Sequence, residues 1–238
     1  MRINPKLTRQ TNRPTGPADD NKLQWLKLLA ITAMVFDHVM VALAPQLTPT
    51  EQLYSRMPGR ISIPIFAFLI AYNAAFHTRS IGKYIARIAA LALISEPIYQ
   101  CYFHYPVNAF VPLALGLAMV WTDKLQRLQR YAARVIILAM AMMCWIWLGW
   151  PEPMAITLAI WLCHTGLSER KITPIAAAAG ILILANGVCW QFWLMILITS
   201  GLIALCCNTK KWPKLTIKKW AAYWFYPGHL LILLAIFH

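Results

Sequence analysis

The chain has 238 residues, 60% of them hydrophobic and 13% charged, whereas an ordinary soluble domain is about 45–50% apolar and about 25% charged. That composition excludes a typical soluble enzyme and points to a single all-α, polytopic membrane domain. The formal net charge of +14 does not mark a nucleic-acid binder, because the basic residues fall in short segments between apolar runs rather than on a soluble face.

In chain order, residues 1–22 are polar and rich in Pro, Asn, Thr and Arg, which predicts a disordered cytoplasmic tail ahead of one membrane domain over 23–238. The apolar stretch 22–43 is long enough to cross a bilayer, yet it carries Lys27, Asp37 and His38. Ala42-Leu43-Ala44 imitates a signal-peptide cleavage site, but the long polar region and the ionisable residues argue for an uncleaved span. A charge near the bilayer centre costs about 2.5–3.5 kcal/mol on insertion scales, so such residues usually line a cavity or pair with one another. At about 100° per residue, Lys27 and His38 return to nearly the same helix face, about 16 Å apart along the axis. Asp37, next to His38 in sequence, points elsewhere.

Further apolar runs cover 61–76, 85–102, 109–122, 135–150, 154–167, 173–188, 192–206 and 221–237, giving nine predicted transmembrane helices. With the N-terminus inside and the C-terminus outside, 19 of the 22 Lys and Arg residues fall in inward segments, as the positive-inside rule expects. Only Arg56 and Arg60 are left outside, and Lys27 lies within the first helix. The bilayer itself is thus the first partner. Six cysteines without metal-ligand spacing read as small buried hydrophobes, and no metal site is expected.

Several polar residues recur at membrane depth. Glu96 stands beside Ser95 and Pro97 in the third run; Arg60 lies at the outer mouth of the second, with Pro64 and Asn73 further in; His229 belongs to the last. The topology puts His38, Asp37, Glu96, Arg60 and His229 at broadly comparable depth. Asp37 could instead pair with Arg60 to hold helices together, Glu96 with Arg60 or His38, and His229 could be a packing residue. Arg79, Lys83 and Arg87 recur every four residues as one cationic stripe, suited either to a phosphorylated ligand or to topological anchoring.

Taken together, Lys27, Met34-x-x-Asp37-His38, Gly59-Arg60-x-x-x-Pro64-x-Phe66-Ala67-Phe68 with Asn73 and Thr78, Tyr84-x-x-Arg87, Ile94-Ser95-Glu96-Pro97 and Phe225-Tyr226-Pro227-x-His229-Leu230 resemble the TraX family of conjugative pilin acetylases. The resemblance is dense over 23–110 and again over 223–234, while the middle matches in hydropathy only. It implies a multi-pass enzyme of the bacterial inner membrane that moves an acetyl group from acetyl-CoA to the N-terminal amine of pilin. It also suggests kinship with the membrane acyltransferase-3 superfamily, whose first helix carries a basic residue and a histidine ten residues apart. Lys27 and His38 reproduce that spacing, with Lys in place of the usual Arg.

On this reading Lys27, Arg79, Lys83 and Arg87 hold the CoA phosphates, and acetyl-CoA is a co-substrate with no resident cofactor. His38 takes the proton of the amine: an α-amine has a reference pKa of about 7.7–8.0, and an imidazole, about 6.5 for the free group, is suited to accepting a proton near neutral pH. Asp37 or Glu96 orients the ring, and Arg60 stabilises the oxyanion or the pilin backbone. His229 and Asn73 complete the substrate region. A proton-coupled transporter and a non-catalytic pilin assembly factor are the alternatives, since buried Asp, Glu and His also suit proton relays.

Overall fold

The computed structural model describes residues 20–149, 151–185, 190–208 and 212–237. The predicted tail up to residue 19, Trp150, Cys189, Lys210 and Lys211 lie outside the described residues. Helix α1 (Asp20–Leu43) opens at Asp20, so the last residues assigned to the tail are already helical. There follow α2 (Pro49–Arg56), α3 (Ser62–Tyr72), α4 (Ile81–Phe103), α5 (Phe110–Trp121), α6 (Arg127–Leu148), α7 (Glu152–Glu169), α8 (Ile172–Ala185), α9 (Trp190–Asn208) and α10 (Lys219–Phe237). Every described element is helical. Three continuous helical segments, Asp20–Gln46, Pro49–His77 and Arg127–Leu148, are long and apolar enough to cross a membrane.

Within the described residues each apolar run of the sequence falls on helix, as expected where a backbone in hydrocarbon must satisfy its own N–H and C=O groups. The short helix α2 carries no apolar run and was not expected. Its signal is local: Thr48 accepts from the Glu51 N–H, the Glu51 carboxylate accepts from the Thr48 N–H, and Pro49 occupies the first turn.

Side-chain contacts fix which helix ends meet. Asn21 donates to the carbonyls of Trp212 (3.0 Å) and Pro213 (2.7 Å) and accepts from the Leu215 N–H (2.6 Å). His77 Nε2 stands 3.7 Å from Asp20 Oδ1. At the opposite end, Arg56 pairs with Asp37 at 3.2 Å and Arg60 with Glu152 at 3.1 Å. Helices α1, α4 and α10 therefore run one way, with α3 and α7 against them. The basic residues Arg79, Lys83, Arg170, Lys171 and Lys214 gather where α1 begins, and Arg56 and Arg60 where it ends.

Helix α7 sits centrally, packed on α3, α5, α6 and α8. Its contact with α5 depends on Gly116, where an added Cβ would lie 2.6 Å from Ile160 Cδ1. Small residues allow such close approach in membranes, where dispersion rather than water exclusion holds helices together. The main core joins Leu26, Ala30, Ile65, Tyr72, Leu117 and Ile160. A second cluster of Met34, Tyr102, Tyr226, Leu230 and Leu233 surrounds the site.

Candidate active site

Helix α1 carries Lys27, Ile31 and Met34 along one stripe, and these three line a cavity of about 150 Å³ between α1, α3, α4, α5 and α10. His38 is the next position on that stripe, as the helical period predicts. It is 8% exposed. Lys27 Nζ donates to Gln24 Oε1 at 3.2 Å. Asn73 and Tyr84 line the cavity together with Lys27. Asn73 opens a single π-helical turn, Asn73–His77, a distortion frequent at functional positions. Phe66, Phe110 and Tyr226 also line the cavity, and the Tyr226 ring reaches to 6.3 Å from that of His38.

The partner of His38 is His229. His38 Nδ1 lies 2.9 Å from His229 Nε2, and the rings meet edge to edge, their centroids 5.1 Å apart and their planes within 11° of parallel. His229 Nδ1 in turn lies 2.9 Å from the Phe225 carbonyl oxygen. Phe103 packs edge-on against His38 at 4.8 Å, and the Tyr102 hydroxyl donates to the His38 carbonyl at 2.7 Å. An imidazole thus stands where a carboxylate was expected.

Both candidate carboxylates are engaged elsewhere. Asp37 points away from His38, as adjacent helical residues must, and pairs with Arg56 rather than Arg60. An added Cβ at Gly59 would collide with the Asp37 side chain, so the absence of a side chain there lets residues 58–61 pass close to α1. Glu96 accepts from Asn108 Nδ2 at 2.7 Å, from the Asn108 N–H at 3.2 Å and from Gln100 at 3.2 Å. Asn108 is 1% exposed. It also donates to the Ala92 carbonyl at 2.8 Å, tying the segment ahead of α5 to α4. Sequence reasoning missed Asn108. Its only signal is a buried-type amide just ahead of an apolar run.

Arg60 is held by Glu152 and is not brought to His38. Arg87 lines a second cavity, of about 410 Å³, with Ile94, Trp224 and Pro227. The two cavities share Leu91 and Tyr223 as a partition. Arg79 and Lys83 are exposed. The cationic stripe therefore flanks the cavity that Lys27 enters without lying inside it. Among the described residues no group of three or more His, Cys, Asp or Glu side chains is placed to hold a metal.

A family profile described as "TraX protein" matches residues 22–237. The chain is also 24% identical over 230 residues to a protein of Dichelobacter nodosus named "Probable fimbrial assembly protein FimC, serogroup H1", covering 87% of this chain and 92% of that one. No solved structure matches it.

Proposed function

The chain belongs to the TraX family, and from that premise we propose that it is a multi-pass acetyltransferase of the bacterial inner membrane. It transfers an acetyl group from acetyl-CoA to the N-terminal amine of a pilin, in pilus assembly and conjugation. Similarity to a protein named for fimbrial assembly supports the biological setting. The observation that carries the chemistry is the buried His38–His229 pair at 2.9 Å, beyond a cavity that Lys27 lines.

The reading assigns nine passes, with the N-terminus inside. The end of the bundle rich in Arg and Lys then faces the cytoplasm, where acetyl-CoA is made available. Lys27 meets the CoA phosphates there, supported by Arg79, Lys83 and Arg87, and the pantetheine arm follows the stripe of Ile31 and Met34 towards His38. Such an arm suits a cavity that is apolar along its walls and polar at one end. His38 removes a proton from the incoming amine as its nitrogen attacks the thioester carbonyl. The C–N bond forms, the C–S bond breaks, and the proton passes to the departing thiolate. Arg60, fixed by Glu152, and Asp37, fixed by Arg56, shape the opposite mouth where the acceptor arrives. Asn73 and Tyr84 supply hydrogen bonds to the ligand at the Lys27 end.

The test is the intact mass of pilin from cells with and without this chain. Wild type adds the mass of one acetyl group, and His38→Ala adds none while still inserting in the membrane. Normal acetylation by that variant would remove His38 from the mechanism. Solute flux with no covalent product would favour a transporter.

A further inference from the structure

The polar chain behind His38 has a direction that the chemistry of its acceptors decides. The Phe225 carbonyl oxygen can only accept, so the ring nitrogen 2.9 Å from it, His229 Nδ1, must carry the proton. A neutral His229 then has its lone pair on Nε2. The atom facing that lone pair at 2.9 Å is His38 Nδ1, which must therefore be the protonated nitrogen of His38. The remaining lone pair of His38 sits on Nε2, which has no hydrogen bond among the described residues.

The surroundings leave little else to set this arrangement. Asp37 is held by Arg56, Glu96 by Asn108, and the faces of α4 and α10 towards His38 present Phe103 and Tyr226. Of these neighbours only His229 touches an imidazole nitrogen of His38.

We propose that His229 is a positioning residue: anchored on the Phe225 carbonyl, it holds His38 in the tautomer whose Nε2 is the base. This rests on the acyl-transfer reading above. When Nε2 takes the proton of the attacking amine, the cation on His38 keeps its Nδ1–H bonded to His229, and the charge is shared between the two rings. The same proton leaves from Nε2 to the CoA thiolate, restoring the starting tautomer. An imidazole thus serves in place of the orienting carboxylate of other histidine bases.

The experiment uses the full chain in lipid nanodiscs, with acetyl-CoA and pilin as substrates. Nitrogen-15 NMR of labelled histidine reads the tautomer of His38 directly, whether or not the protein turns over. The proposal expects neutral His38 protonated on Nδ1 in wild type and a mixed tautomer in His229→Phe. That variant loses roughly 100-fold in kcat, the scale of a general base, with KM for acetyl-CoA within about twofold. His229→Gln, whose Oε1 can still accept from His38 Nδ1, recovers most of the rate, and the acid limb of its pH–rate profile returns towards that of wild type. His38 protonated on Nε2 in wild type overturns the proposal whatever the activity. So does a His229→Phe enzyme with wild-type kcat and pH profile, or a His229→Gln enzyme no better than His229→Phe. Wild type with the stated tautomer but no acetyl transfer overturns the reaction itself, and the positioning role falls with it.

Discussion

At the scale of single residues, the buried polar groups divide into those that bind helices together and those left to do chemistry. Asn108 belongs to the first kind. Its amide donates to the Ala92 carbonyl and to Glu96, while its oxygen accepts from the Phe110 N–H at 2.9 Å. Asn108→Leu leaves the Ala92 carbonyl and the carboxylate without that donor, at a cost of about 1–3 kcal/mol. The thermal midpoint in detergent should fall, and an unchanged midpoint would contradict the structural role. On the proposed mechanism His38 belongs to the second kind. Its alignment with Lys27 was legible because the helical period alone decides which residues share a face. Its partner was not legible. His229 is 191 positions away, and nothing in local spacing says which faces of two distant helices will meet. The carboxylates drew attention because Asp and Glu commonly orient a histidine, yet here cations and amides from neighbouring segments satisfy them first.

At the scale of elements, hydropathy located the long helices but overlooked α2, whose determinants are polar. The capping box of Thr48 and Glu51 starts a helix that delivers Arg56 to Asp37 and leads into Gly59 beneath it. Thr48→Ala should cost about 1 kcal/mol of local stability, as for other lost N-caps. Hydrogen exchange at the amides of α2 should quicken, while those of α7 stay as they were. Equal protection in the variant would show that tertiary contacts, not the cap, hold α2. Pro97 within α4 and Pro227 within α10 fall on the two helices that pack beside His38. Prolines were readable in the sequence as interruptions. That both interrupted helices border the same site emerges only from the packing.

At the scale of the whole molecule, the charge asymmetry of the sequence has a spatial counterpart, since the helix directions carry most of the basic segments to the end where α1 begins. The positive-inside orientation proposed above rests on that segregation, and it is testable without any activity. With native cysteines replaced, a cysteine at the exposed Gln46 should react with an impermeant thiol reagent on intact spheroplasts. One at the exposed Lys171 should react only after permeabilisation. The reverse pattern would invert the proposed topology and put Lys27 on the wrong side for cytoplasmic acetyl-CoA.

The most direct test of the account is transfer in a reconstituted system: purified protein in lipid nanodiscs, acetyl-CoA carrying an isotope-labelled acetyl group, and mature pilin. The label should appear on the pilin N-terminal amine with wild-type protein and be absent with His38→Ala. Label on pilin at the same rate with both proteins, or with neither, would contradict it.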